Sequence, residues 1–272
     1  MEFKGFARPV VMIGCGNMAG AILNRWLESG LDPARVTIID PGKQGAPGGT
    51  TLLAGFPDTL PSDAVVVLGV KPQLLPEVAP LLAPLIGKDM TIISMLAGVR
   101  VQALREVLQR ATNLVRIMPN TPVALGKGVC AWYADDAATA DAVNAARVLL
   151  SPLGLVERIE DEGGFNLVTA LSGCGPAFVF RFIDALAQAA SSLGMASDQA
   201  LRLALATVEG SAALAVAAEE APGVLADRVA SKGGMTREGL DMLDADERLN
   251  LLLADTLRVA RDRGEVLEKL AK

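Results

Sequence analysis

Through the first half of the chain, short runs of β-branched and other apolar residues alternate with stretches of helical period. Val10 to Ile13, Val36 to Ile39, Val65 to Val70, Thr91 to Ser94, Leu114 to Ile117 and Val129 to Trp132 predict strands, and Leu155 to Ile159 is a candidate seventh. Largely continuous apolar strands separated by helices imply cover on both faces, so a mostly parallel sheet between helical layers is expected. The pattern changes at Asp161-Glu162-Gly163-Gly164. From Phe165 onward Ala and Leu recur with helical period, interrupted at Gly194, Pro222-Gly223 and Gly233-Gly234. The expected organisation is α/β, with a sheet domain over residues 1–161 followed by an all-α domain over residues 162–272.

Composition narrows the function classes. A chain of 272 residues that is 51% hydrophobic can build a large core and has room for two domains. With a net charge of −6 and no basic block, neither a nucleic acid nor an anionic membrane is an expected partner. The apolar stretches Phe178 to Ala196 and Gln199 to Ala218 carry Arg181, Asp184, Arg202 and Glu209, which makes them too polar for bilayer spans. The N-terminus runs straight into a strand pattern without a signal-peptide layout, so a cytoplasmic location is expected. Few charges fall between Leu167 and Ala218, and so apolar a helical layer predicts a partner subunit. Three scattered cysteines, Cys15, Cys130 and Cys174, argue against a disulfide framework and against a structural metal site. There is no histidine at all, which excludes His-dependent dehydrogenases, Ser-His hydrolases and His-ligated metals.

Candidate chemistry lies in two glycine-rich runs. Gly14-Cys15-Gly16-Asn17-Met18-Ala19-Gly20 follows the first strand and precedes a helical pattern. In that setting Gly14 makes the tight turn, Gly16 lets a pyrophosphate approach the backbone, and Ala19 permits close helix packing, which is the dinucleotide-binding arrangement of a Rossmann-like domain. Asp40 ends the second strand, where an acid can hold an adenine-ribose hydroxyl and favours NADH, while Lys43 could partner a 2′-phosphate and pulls toward NADPH. Lys71-Pro72-Gln73 and Ala97-Gly98 also follow strands and fall at the same carboxyl edge. Near the C-terminus, Ser231 and Thr236 bracket Gly233-Gly234 ahead of a helix-forming run, with Thr236 as its expected cap and Glu238 in its first turn. Such a loop can offer N–H groups and a helix N-terminus to a small anion.

These landmarks, taken in order with Met118-Pro119-Asn120-Thr121-Pro122 and Leu171-Ser172-Gly173-Cys174-Gly175-Pro176-Ala177-Phe178, resemble the Δ1-pyrroline-5-carboxylate reductase family. Its members catalyse the last step of proline synthesis. The resemblance implies reduction of a cyclic imine by NADPH or NADH and an intertwined homo-oligomer built on the helical, dimerising domain. It also implies cofactor contacts from Gly14, Gly16, Asn17, Met18, Ala19, Asp40, Lys71, Pro72, Ala97, Gly98 and Asn120. Substrate would be held by Ser231, Gly233, Gly234, Met235 and Thr236, with Thr236 on the imine nitrogen and Glu219 orienting the loop.

Lys232 and Met235 stand where the family usually has Pro and a small residue or Thr, and Asp40 where many members carry small or basic residues. The residue inventory agrees with the chemistry. Ketone reduction demands a good general acid such as His or Lys, whereas an imine needs only a protonated or hydrogen-bonded nitrogen. No Lys lies between Lys127 and Lys232. Two alternatives remain at this level, a reductase of another cyclic imine and a non-catalytic dinucleotide-binding regulator.

Overall fold

The structure is a computed structural model that describes Phe3 and residues 5–270. Its chain forms two compact units, one of residues 1–174 and 260–272 and the other of residues 175–259. A helical turn begins at Glu162, and the division falls between Cys174 and Gly175. Phe165 is fully enclosed beside Met118 and Ala131, so the first helical turns after Glu162 pack with the sheet unit.

The first unit is built on an eight-stranded sheet in the order β3-β2-β1-β4-β5-β6-β7-β8. The strands are β1 (Val10–Ile13), β2 (Val36–Ile39), β3 (Thr51–Leu53), β4 (Val65–Leu68), β5 (Thr91–Ser94), β6 (Asn113–Pro119), β7 (Gly128–Ala134) and β8 (Gly154–Arg158). All neighbours are parallel except β6 and β7, where Ile117 faces Trp132 in an antiparallel register. The strand order reverses between β1 and β4, which opens a crevice at the carboxyl ends of those strands. Side chains alternate between two cores. Val10 and Met12 point into one with α1 (Asn17–Glu28) and α4 (Ala140–Leu150), while Val11 and Ile13 point into the other with α2 (Leu75–Leu82) and α3 (Val101–Val107). Along α1, Ala19, Ile22, Leu23 and Trp26 are buried at helical spacing, and Trp26 donates its indole N–H to the Leu149 carbonyl at 2.6 Å.

Two sequence expectations change. Thr51–Leu53 is an edge strand that the apolar pattern did not disclose, since three half-exposed residues present no continuous run. The fourth strand stops at Leu68 rather than Val70, because Gly69 lies against the glycine loop, where an added side chain would stand 2.7 Å from the Gly14 carbonyl oxygen and 2.8 Å from Ala19 Cβ.

After α5 (Phe165–Val168), a π-helical turn spans Thr169–Gly173, and α6 (Gly175–Ser192), α7 (Ser197–Ala217), α8 (Pro222–Arg228), α9 (Met235–Asp244) and α10 (Arg248–Leu270) follow. Pro222-Gly223 opens α8 instead of breaking a helix, as suits proline at a first helical position. The core of the second unit is thin. Ala187, Ala200 and Ala204 are its buried residues, with Ile183 and Ala190 beside them, while Phe180, Phe182, Leu201, Leu205 and Val216 are exposed.

Candidate active site

The glycine loop meets the requirements of a phosphate cradle. Gly14 has φ 80°, and a side chain there would strike Val70 at 2.7 Å, so glycine is demanded by the fold itself. At Gly16 the situation is the reverse. It caps α1 without a side-chain hydrogen bond, its φ is an ordinary −72°, and among the described residues no atom beyond its immediate chain neighbours lies within 4 Å of where a side chain would sit. Its openness is therefore available to a ligand, and the first-turn N–H groups of Asn17, Met18 and Ala19 point out of an uncapped helix start. Gly16 and Asn17 are exposed while Ala19 is buried against β4. Beside the loop a cleft of about 510 Å³ runs past Asn17, Asn24 and Lys43 to Ala124. A dinucleotide pyrophosphate fits these features, and Gly14, Gly16, Asn17, Met18 and Ala19 are the residues that would hold it.

Asp40 sits at the end of β2 as expected, and it also acts on the loop. Its Oδ2 accepts the Cys15 N–H at 2.8 Å and its Oδ1 accepts the Gly42 N–H at 2.9 Å. Lys43 reaches back to donate to the Cys15 carbonyl at 3.3 Å, so a carboxylate and an ammonium share one rim. Burial raises the Cys15 thiol above its ordinary value, Lys43 opposing the shift. Lys71 is exposed and Pro72 half-exposed at the carboxyl end of β4, with Ala97 exposed and Gly98 in a left-handed turn after β5.

Asn120 is placed differently from a ligand-facing side chain. It is 7% exposed, its amide NH2 donates to the Ser172 carbonyl at 2.9 Å, and its carbonyl accepts the Val129 N–H at 2.8 Å. Both ends of the amide thus tie β6, β7 and the π-helical turn together. Such turns recur at functional sites, but no periodicity in Thr169–Gly173 announced this one.

In the second unit the Ser231 to Thr236 run is a tight turn leading into α9. Gly234 donates to the Ser231 carbonyl at 2.9 Å, Gly233 has φ 69°, and any side chain at Gly234 would collide with the Ser231 hydroxyl. The cap of α9 is Gly234 rather than Thr236, and it makes no side-chain hydrogen bond, because glycine has none to offer. Thr236 is instead a first-turn residue. The first N–H groups of α9 have no side-chain cap, and among the described residues the exposed hydroxyls of Ser231 and Thr236 have no hydrogen-bond partner. Met235 is 93% exposed. Arg237 clamps the turn by donating to Asp227 of α8 at 2.7 Å, a contact that spacing alone did not single out. Glu219 is exposed and unpaired, whereas its neighbour Glu220 pairs with Arg228 of α8.

Comparison with known proteins places these features in a family. Residues 162–267 match the family described as pyrroline-5-carboxylate reductase dimerisation, and residues 9–98 match the one described as NADP oxidoreductase, coenzyme F420-dependent. The pyrroline-5-carboxylate reductase of Pseudomonas aeruginosa is 32% identical over 97% of this chain and 98% of its own. That of Pisum sativum is 35% identical over 85% of this chain and 86% of its own. Among solved structures, a pyrroline-5-carboxylate reductase from Coxiella burnetii is 29% identical and superposes with a TM-score of 0.85, covering 96% of this chain and 98% of that one.

Proposed function

The chain belongs to the pyrroline-5-carboxylate reductase family, and from that membership we propose how its residues divide the work. The protein reduces Δ1-pyrroline-5-carboxylate to proline, the last step of proline synthesis, with NADPH or NADH as reductant. One hydride joins the imine carbon and one proton the imine nitrogen. The bound reduced nicotinamide supplies the hydride.

What this chain contributes is binding and orientation. The observation that carries the assignment is the glycine-opened, uncapped start of α9 with two unpartnered hydroxyls. Free N–H groups there hold the substrate carboxylate, assisted by Ser231, Gly233 and Gly234, because a helix N-terminus favours a negative charge. Thr236 then hydrogen-bonds the imine nitrogen and keeps it protonated or polarised as hydride arrives, a task for which a hydroxyl suffices. Met235 lines the same turn, and Glu219 orients it from the end of α7. Gly14 to Ala19 cradle the pyrophosphate, and Lys71, Pro72, Ala97, Gly98 and the Asn120 loop carry the cofactor on toward its nicotinamide end. Asp40 favours a ribose with free hydroxyls and Lys43 favours a 2′-phosphate; we read the balance as NADH.

The protein is a homo-oligomer, and we assign its interface to the helical domain over residues 162–272, with a dimer as the smallest unit. Against the expectation drawn from Arg181, Asp184, Arg202 and Glu209, Glu162–Ser192 and Ser197–Ala217 are each long and apolar enough to cross a bilayer by length and composition alone, and 11% of each apolar window is buried. The match of this region to a dimerisation family supports partner helices as its cover, and the reading as a cytoplasmic enzyme goes with that cover as a proposal.

The deciding experiment is loss of reduced-nicotinamide absorbance when the purified protein meets pyrroline-5-carboxylate, run with each cofactor. Turnover with kcat/KM higher for NADH is expected. Cofactor binding without turnover would make the protein a dinucleotide-binding regulator, and a large NADPH advantage would overturn the weight given to Asp40. Because Lys232 and exposed Met235 lie in the substrate turn, a six-membered cyclic imine is measured in parallel. Faster reduction of that ring would reassign the substrate.

A further inference from the structure

The end of α10 is seated on the loop that follows β5. Gly98 has φ 76°, and a side chain there would meet backbone atoms of α10, the Leu267 carbonyl carbon at 3.3 Å and the Glu268 nitrogen at 3.4 Å. A second close approach lies one turn earlier, where a side chain on Gly264 would stand 2.8 Å from Asn166 Oδ1. Gly98 serves a contact between backbones and Gly264 one between the α10 backbone and the Asn166 side chain, and charge secures the seat. Glu268, 8% exposed, accepts on Oε2 from Arg100 Nε at 3.0 Å and Nη2 at 2.8 Å, while its Oε1 lies 3.5 Å from Arg116 Nη2. Arg116, 1% exposed on β6, donates from Nη1 to Glu162 Oε1 at 2.9 Å and stacks 4.4 Å from the centre of the Phe165 ring. That Glu162 oxygen also accepts the N–H of Val101, the first residue of α3, at 2.9 Å.

These bonds converge on one short segment. Ala97 and Gly98 are followed at once by Arg100 and the start of α3, so Glu268 and Glu162 grip the loop from its C-terminal side, and α10 closes it from above. Along the carboxyl edge the order is β1, β4, β5, and a dinucleotide whose pyrophosphate rests on the loop after β1 extends past β4 toward β5. The segment held by Glu268 therefore faces the far half of the cofactor from the phosphate cradle.

We propose that Glu268 is a positioning residue: by pairing with Arg100 and Arg116 it seats the end of α10 on Gly98 and fixes the Ala97–Gly98 loop where the nicotinamide half of the cofactor is placed. This rests on the assignment of Ala97 and Gly98 to cofactor binding. Glu268→Ala leaves Arg100 without its hydrogen-bonded carboxylate and Arg116 with Glu162 as its remaining ion pair, and releases the loop. A small displacement at a hydride-transfer site is costly, so kcat falls about 10- to 100-fold. The Kd for NADPH and NADH rises severalfold. Affinity for ADP-ribose, which lacks the nicotinamide, stays within about twofold, because Gly14 and Gly16 are untouched.

The full-length protein is measured well below its melting midpoint, by fluorescence titration with NADPH and ADP-ribose and by steady-state kinetics, beside Ala97→Val as a direct change in the loop. If Glu268→Ala does not fold, Glu268→Gln, which keeps the length and a hydrogen-bonding end, is read in its place and should show the same pattern more weakly. Selective loss for NADPH in both the Glu268 and Ala97 variants supports the proposal. Selective loss in Ala97→Val alone overturns it and leaves the loop assignment standing. No effect from either variant removes the loop assignment and the proposal together, and an equal loss of ADP-ribose affinity would reduce Glu268 to a general stabilising role.

Discussion

Thr236 shows how little machinery an imine reduction asks of a chain without histidine. Among the described residues its hydroxyl is unpartnered in the first turn of α9, next to N–H groups that no side chain caps. Thr236→Ala should lower turnover by about 10- to 1000-fold, the scale of one transition-state hydrogen bond with its positioning. Thr236→Ser should recover much of that, and cofactor Kd should hold. An alanine variant as fast as the parent would remove Thr236 from the mechanism. Cys130 makes a different prediction. Burial pushes its thiol from 9.0 up to about 12, so between those values the unfolded chain releases a proton that the folded chain keeps. Stability is then intact below pH 9 and falls by about 1.4 kcal/mol per pH unit above it, until the folded thiol titrates. Melting midpoints between pH 8 and 11 should decline less steeply for Cys130→Ala than for the parent. Equal slopes would assign the alkaline loss to other groups.

Among the elements, the glycine loop separates folding from function. Gly14→Ala forces a side chain into a left-handed position against Val70 and should lower the melting midpoint. Gly16→Ala meets no atom of the chain, so it should leave the midpoint unchanged and weaken dinucleotide binding by tenfold or more, as titration would show. Loss of stability without loss of binding at Gly16 would contradict the cradle. This loop was legible in the sequence because a strand, three spaced glycines and an amphipathic helix each announce themselves locally. The six principal strands were legible for the same reason, as mostly apolar, β-branched runs. Thr51–Leu53 was not, since an edge strand is half wet and too short to show a period. The structural duty of Asn120 and the clamp of Arg237 on Asp227 were hidden too, because each depends on a partner that sequence spacing does not bring near. The cap of α9 was misplaced by two residues for a chemical reason. A threonine is a better cap than a glycine in isolation, but the tight turn at Gly233-Gly234 leaves the cap position no room for a side chain.

For the whole molecule, the second unit has an alanine seam for a core and large apolar residues on its outside. Leu201 and Leu205 lie one turn apart on α7, each nearly half exposed. Changing both to Asp should shift the protein toward the monomer in light scattering and abolish most activity, while the parent remains oligomeric at micromolar concentration. The parent's melting midpoint should rise with protein concentration, because association stabilises only the folded chain. A stable, active monomer would sink both expectations.

Glu268 also has a meaning in time. The sheet unit is discontinuous, and Glu268, which pairs with both Arg100 and Arg116, stands 168 and 152 positions further along the chain than those arginines. Contacts so distant in sequence form late, since the chain entropy of closing the loop must be met before the contact returns anything. The strands can therefore pair early while a buried arginine still lacks one of its carboxylates, and they wait for the whole helical region to be ordered before that charge is matched. Refolding should show this as a slow final phase that carries the appearance of nicotinamide binding, behind a faster one in which the sheet and its phosphate cradle are already formed.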